Sequence, residues 1–380
     1  MAATYNLAIV AGEHSGDTHG GNLCKAFNRT CPGATWFGAG GPVMISAGVE
    51  IVVPMEKLSV VGIGEVLSRL PDLWRAMGKL KRELASRRPD ALLLVDFPDF
   101  NFRLAKFAHK TGIPVVYYIT PQVWAWRRGR TKLLRKFVDR ALVIFPFEEV
   151  FLKEHGVKAT FVGHPLVDTA KATSSLDAFL ERHSLDAEKK RIALLPGSRN
   201  SEMDRILPTM LKAAEVLAAD RNDLVFLVPL AGGIEESVRE RYAHPLLHWI
   251  SGEYHDVLGH ADAAVVASGT ATLEAALMGV PSVIVYKINP MTYAVGKCLV
   301  KLPHVGLPNV LLEREAIVEL IQGDFTAKNT AEKISRLVNS NEEARLEARN
   351  TAADVRKRLG EGNASVRAAG ALLDFLERRR

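Results

Sequence analysis

The chain has 380 residues, 48% of them hydrophobic and 24% charged, which is room for two buried cores at about 150 residues per domain and excludes a largely disordered protein. Its three cysteines, Cys24, Cys31 and Cys298, are too few and too scattered for a disulfide framework or a four-ligand zinc site, so a reducing, cytoplasmic compartment is expected. A net charge of +6 suits a phosphorylated substrate, anionic lipid or nucleic acid alike, and no run reaches the roughly 18 apolar residues of a spanning helix.

The opening MAATYNLAIVAGEHSGD lacks the basic start and cleavage site of a signal peptide, and its apolar run at 7–10 reads as a first core strand. Further strands are expected at 91–95, 115–119 and 141–145, with amphipathic helical stretches at 67–86, 102–110 and 129–138 between them. FVGHPLVD at 161–168 ends this series, and the polar stretch 169–175 reads as a linker. A second series follows, with strands at 191–196, 224–229, 263–267 and 282–286, each leading into a helix. The tail from 331 to 380 is helical and charged, with a break at Gly360-Glu-Gly362. Continuous apolar strands alternating with helices imply parallel sheets covered on both faces. The expected class is therefore α/β, two doubly wound Rossmann-like domains at 1–168 and 169–362, with a last helix at 363–380 that can join the first domain.

In such sheets ligands bind at the carboxyl ends of strands. After the first strand, AGEHSGD offers Gly12, Glu13, Ser15, Gly16 and Asp17 at a helix start, where backbone can approach a ligand and an anion is favoured; Ser15 or Asp17 also suits helix capping. DFPDFN places Asp96, Asp99 and Asn101 after an apolar strand. Asp99 and Asn101 suit helix caps, whereas Asp96 lies too close to the strand end for that role. LPGSRNSE gives a phosphate-type turn at Gly197 and Ser198, an Arg199 whose fork matches phosphate oxygens, and Glu202 one turn on. ASGTATLE repeats the theme with Ser268, Gly269, Thr270 and Thr272, and with Glu274 one turn inside the helix, where it can accept from ribose hydroxyls or simply complement the helix dipole. The segment 121–136 interleaves Trp124 and Trp126 with basic residues, a pattern shared by base-stacking platforms, membrane interfaces and packed aromatic pairs.

Taken in order, AGEHSGD (11–17), GIGEVL (62–67), DFPDFN (96–101), TPQVWAWR (120–127), FPFE (145–148), FVGHPL (161–166), LLPGSRNSE (194–202), ASGTATLEAAL (267–277) and LPN (307–309) closely resemble the lipid-A-disaccharide synthase family from about residue 7 to residue 340. One departure is His14, where family members more often carry a small residue. The resemblance implies a B-type glycosyltransferase fold with two domains facing a central cleft. It also implies an inverting transfer from UDP-2,3-diacylglucosamine to 2,3-diacylglucosamine 1-phosphate. A UDP leaving group is already a stable anion, so such a transfer needs cationic and helix-dipole stabilisation and one base for the acceptor hydroxyl. Asp96 then fills the base role, Arg199 and the 268–272 turn hold the donor diphosphate, Glu274 meets the ribose, and Asn309 with the Glu319-x-x-Gln322 pair lines the sugar side. No Asp-x-Asp pair occurs in these segments and His155 and His164 lack partners at ligand spacing, so neither a metal nor another cofactor is expected.

Acylated substrates place the work at the cytoplasmic surface of the inner membrane. Val60 to Leu67 followed by Leu70, Leu73, Trp74, Met77 and Leu80, flanked by Arg69, Arg75, Lys79, Lys81 and Arg82, has the spacing of an interfacial helix for anionic lipid, with Leu73, Trp74 and Met77 as the inserting side chains. The same spacing serves a helix packed on its own sheet. Nucleic acid is not an expected partner, since that reading leaves Asp96 and two phosphate-type turns without a role. A hydrolysing UDP-sugar epimerase shares the two-domain plan and the nucleotide half-site. Terminal helices folded back on the first domain and helices exchanged within a homodimer both satisfy the periodicity.

Overall fold

The computed structural model describes residues 4–58, 66–125, 128–230, 236–289, 293 and 303–379. Of the positions singled out above, 60–65, Trp126, Arg127 and Cys298 lie outside the described residues. The chain divides into two units, Met1–Pro165 with Gly362–Arg380, and Leu166–Glu361.

The first unit is built on a parallel sheet of seven strands: β1 (Asn6–Ala11), β2 (Thr35–Gly40), β3 (Val49–Pro54), β4 (Ala91–Val95), β5 (Val115–Tyr118), β6 (Arg140–Val143) and β7 (Ala159–Phe161), in the order β3-β2-β1-β4-β5-β6-β7. All five residues of β4 are buried, the condition that makes a strand apolar without alternation. One face packs against helices Val66–Arg87 and Pro98–Lys110, through Leu80, Leu84, Leu104 and Ala105. The other is covered by helices His14–Thr30 and Ala364–Glu377, where Leu23 and Phe27 share a cluster with Ala368, Leu372 and Leu376. Arg367 in the last helix also donates from Nε to the Val162 carbonyl at 2.9 Å.

The second unit repeats the plan with β8 (Lys190–Leu195), β9 (Leu224–Leu230), β10 (Leu247–Ser251), β11 (Ala263–Ala267), β12 (Ser282–Tyr286) and β13 (Glu319–Ile321), ordered β10-β9-β8-β11-β12-β13 and parallel throughout. Helices Asn200–Asp220 and Ala327–Asn339 cover one face, with Met203, Leu207, Met210 and Ile334 buried in it. The expected strand at 115–119 ends one residue early because Ile119 turns to a positive φ of 58°. Strands β2, β3, β7, β10 and β13 were not expected from the sequence: β2 carries glycines at 38 and 40, and β7 and β13 have three residues each.

Leu372 is wholly buried against the first unit, whereas Leu346 on the preceding helix is 58% exposed. Leu372→Ala is therefore expected to cost about 2–5 kcal/mol, and Leu346→Ala about 0.5 kcal/mol or less, in denaturant unfolding of the full chain. Equal effects would mean that the last helix is not part of the first unit's core.

Candidate active site

In both sheets the strand order reverses once, between β1 and β4 in the first unit and between β8 and β11 in the second. Loops leaving two neighbouring strands in opposite directions open a crevice at their carboxyl ends. The residues that follow these four strands are 12–17, 96–101, 196–202 and 268–274.

In the first unit Asp96 and Phe97 both adopt left-handed backbone, with φ of 45° and 52°. Two consecutive non-glycine residues in that region cost roughly 1–2 kcal/mol each, so the surroundings must enforce the turn. The Asp96 carbonyl accepts from Asn101 Nδ2 at 2.6 Å and from the Tyr117 hydroxyl at 2.7 Å, and its N–H donates to the Tyr118 carbonyl at 3.2 Å. The turn leaves a half-buried carboxylate at the strand end. Burial raises the Asp96 pKa from 3.8 to about 6, with the Glu13 carboxylate adding to the shift and the Phe97 N–H opposing it. Gly12 permits this approach: a Cβ there would lie 2.4 Å from the Phe97 ring.

Not every expected ligand group is free to meet one. Asp17 is 1% exposed, and its carboxylate accepts from the N–H groups of Gly41 (2.7 Å), Val43 (2.9 Å) and Met44 (3.1 Å), capping helix Pro42–Ser46. Asn101 is wholly buried and holds the Asp96 turn from below, with a further bond from Nδ2 to the Val95 carbonyl at 3.3 Å. Asp17 thus supports a helix start, and Asn101 supports the turn after β4. Gly16 is buried against Ala11, while Glu13, Ser15 and Asp99 are exposed, Asp99 paired with Arg130.

Beside Phe97 lies a groove of about 360 Å³ whose walls include Leu73, Trp74, Met77, Phe97, Phe100 and Arg103. The Arg103 guanidinium sits 5.8 Å from the centre of the Trp74 ring, and Glu13 and Asp99 border the same groove. Helix Val66–Arg87 thus packs on its own sheet along one side and keeps an exposed aromatic residue on the other. Met77 is 6% exposed, within the core, and Trp74 is 64% exposed. The expectation that Met77 inserts into lipid is corrected accordingly. Trp124 is also buried, donating from Nε1 to Glu148 Oε1 at 3.0 Å and packing edge-on against Phe147, so it is no surface stacking platform. Glu148, in the FPFE segment, is itself buried, and its pKa is pushed up to about 7.

In the second unit Gly197 has φ of 119°, and a Cβ there would fall 2.4 Å from Glu202 Oε2. That carboxylate accepts from the N–H groups of Ser198 (3.0 Å) and Arg199 (3.3 Å) and pairs with the Arg199 guanidinium at 3.0 Å. Glu202 is therefore the third helical residue of a capping box, reaching back to the N–H groups that open helix Asn200–Asp220. After β11, Gly269 and Thr270 are exposed at the start of helix Thr270–Leu277. Ser268 donates to the Val305 carbonyl at 3.0 Å, and the buried Thr272 hydroxyl donates to the Gly269 carbonyl at 2.7 Å. Thr272 thereby shapes the turn. Glu274 accepts from the Tyr254 hydroxyl and from His255 Nε2, each at 3.0 Å.

Asn309 is fully buried and saturated. Its Nδ2 donates to the Ile317 carbonyl (2.7 Å) and Glu319 Oε1 (2.8 Å), and its Oδ1 accepts from the Ala316 and Ile317 N–H groups (both 2.9 Å). Glu319 accepts from the N–H groups of Val305 (3.0 Å) and Gly306 (2.9 Å). Gln322 pairs its amide with the backbone of Ile288 at 3.3 and 3.2 Å. All three brace loops. Tyr117, Tyr254 and His255 were missed in the sequence. The last two follow β10, a strand whose mixed burial concealed it.

A family model described as Lipid-A-disaccharide synthetase matches residues 7–372. A lipid-A-disaccharide synthase of Myxococcus xanthus is 43% identical over 97% of each chain, and one of Anaeromyxobacter dehalogenans strain 2CP-1 is 45% identical over 98% of each. Among solved structures, a UDP-GlcNAc 2-epimerase of Neisseria meningitidis bound to UDP-GlcNAc superposes with a TM-score of 0.67 at 15% identity, covering 98% of this chain and all (100%) of that one. A calicheamicin glycosyltransferase does so with a TM-score of 0.60 at 17% identity over 99% of both. At those identities the structures speak to a shared B-type glycosyltransferase fold alone. The full-length matches to the family model and to its curated members make the assignment: this chain belongs to the lipid-A-disaccharide synthase family.

Proposed function

We propose that the chain is an inverting hexosyltransferase that moves 2,3-diacylglucosamine from UDP to the 6-hydroxyl of 2,3-diacylglucosamine 1-phosphate, releasing UDP and the β-1,6-linked disaccharide 1-phosphate. The observation that carries this reading is Asp96, a carboxylate with its pKa raised to about 6 at a switch point, next in the chain to Phe97, which walls an apolar groove. As the acceptor oxygen bonds to the anomeric carbon, the bond from that carbon to the diphosphate breaks and its electron pair leaves with UDP. The acceptor proton passes to Asp96. Arg199 and the exposed N–H groups at Gly269 and Thr270 neutralise the developing diphosphate charge. Arg199 is 74% exposed and must exchange Glu202 for phosphate oxygens as the donor binds. The groove along Leu73, Trp74 and Phe97 takes an acyl chain of the acceptor, for which a purely nucleotide-sugar epimerase has no use.

Asp96→Asn keeps the shape and removes the proton acceptor, so turnover should fall roughly 10²- to 10⁴-fold with UDP affinity unchanged. Only the ionised base works, so kcat/KM should rise with pH through a midpoint near 6 and be lost below it. Glu13→Gln removes the neighbouring charge and should shift that midpoint downward. Near-normal turnover of the Asn variant would transfer the role elsewhere. UDP release from donor alone, without the acylated acceptor, would favour the epimerase chemistry.

For the donor, Arg199→Lys keeps the charge but loses the fork, and UDP should bind about tenfold more weakly by calorimetry. An unchanged dissociation constant would place Arg199 outside the donor site.

No described helix is long and apolar enough to cross a membrane. We infer that the protein meets its lipids by reversible docking through Trp74 on the anionic cytoplasmic leaflet. Trp74→Ser should weaken binding to anionic vesicles about tenfold at unchanged melting temperature. Met77→Ser, inside the core, should cost about 2–5 kcal/mol of stability. Vesicle binding that survives Trp74→Ser would put the docking face elsewhere.

A further inference from the structure

Glu274 stands at the second-unit switch point with both carboxylate oxygens engaged from one side. The Tyr254 hydroxyl donates to Oε2 at 3.0 Å and His255 Nε2 to Oε1 at 3.0 Å. The two donors lead helix Tyr254–Gly259, which follows the carboxyl end of β10. This helix and helix Thr270–Leu277 pack on the same face of the sheet: Val257 and Leu258 share a core cluster with Ala275, and Tyr254 and Ala271 pack against it. Tyr254 is thus placed by core packing, and His255 follows it on the same helix.

A glutamate with three free torsions samples many directions, and each bond it makes to a ligand must first offset that lost freedom. Two donors from adjacent residues fix the carboxylate plane in advance. A carboxylate has about four acceptor sites, so roughly half remain for a ligand. The Tyr254 hydroxyl is largely buried, and its pKa is raised well above 10 by that burial and by the Glu274 charge. It is a dependable donor. His255 is likewise raised above its usual range, first by the bond to Glu274 and then by the charges of Glu274 and Asp256, with burial opposing.

We propose that Tyr254 and His255 are positioning residues that lock the Glu274 carboxylate in the orientation that reads the ribose hydroxyls of the UDP donor, and so set the enzyme's preference for a ribonucleotide. The proposal rests on Glu274 contacting the ribose, and the test separates the two.

The probes are UDP and 2′-deoxy-UDP, titrated into the full chain by calorimetry. The parent should bind UDP about tenfold more tightly than the deoxy analogue, the usual scale of one charge-assisted hydrogen bond. Glu274→Gln should bring that ratio close to one. Tyr254→Phe and His255→Ala should each reduce it about threefold or more, by weakening UDP while leaving 2′-deoxy-UDP unchanged. His255→Gln retains an N–H at the same reach and should restore most of the ratio. If Glu274→Gln abolishes the preference but Tyr254→Phe and His255→Ala keep it, the positioning role is wrong and the ribose contact stands. A parent ratio near one, or a preference that survives Glu274→Gln, removes the ribose contact and the proposal with it. Equal losses for both nucleotides in the Tyr254 and His255 variants would mark a general disturbance of the fold and also overturn the proposal.

Discussion

Everything polar in this protein is governed by the burial of two parallel sheets on both faces. A strand such as Ala91–Val95 has no exposed residue, and an unpaired polar group inside such a layer costs on the order of 1–3 kcal/mol. Chemistry is thereby displaced to the strand ends. Of those ends, the ones flanking an order reversal are left open by the helices, which depart to opposite faces. Asp96, Arg199 and Glu274 all follow strands adjoining a reversal.

The same constraint explains why the turn after β4 is strained. A regular strand exit would carry the Asp96 side chain along the sheet face into apolar layers. Two left-handed residues end the strand instead, and the Asp96 carbonyl then accepts from Asn101 and Tyr117. Backbone strain, carbonyl bracing and the elevated carboxyl pKa are one arrangement seen three ways. A carboxylate close enough to the apolar end of the sheet to be desolvated is also a stronger base than one in water.

Much of this was legible in the sequence, for identifiable reasons. Strands buried on both faces announce themselves as continuous β-rich runs, and β4, β11 and β12 have the expected bounds. Polar residues immediately after such runs fall at strand ends, which is how Asp96, Arg199 and Glu274 stood out. What the sequence did not disclose was which polar side chains turn inward. Asp17 finds its partners 24 to 27 residues away, Asn309 seven to ten residues away, and Gln322 is 34 residues from Ile288. Those partners are backbone groups of loops and of the start of helix Pro42–Ser46, or Glu319, and no local pattern in the sequence announces pairings at such separations. Strands interrupted by glycine or only three residues long carried too little periodicity to register, and Tyr254 and His255 were lost with β10.

Helix Val66–Arg87 shows the limit of periodicity from the other side. An apolar stripe at helical spacing states that one face is apolar but not what covers it. In this helix the stripe is wide enough to be divided: Ala76, Met77, Leu80 and Leu84 reach the sheet, and Trp74 stands at the edge with Arg103 over its ring. Between the two lies the groove bounded by Phe97, the residue next to the catalytic candidate. The width of the stripe therefore matters more than its phase. A narrower one would have been consumed by the core, and the turn that carries Asp96 would open onto a surface with nothing apolar beside it.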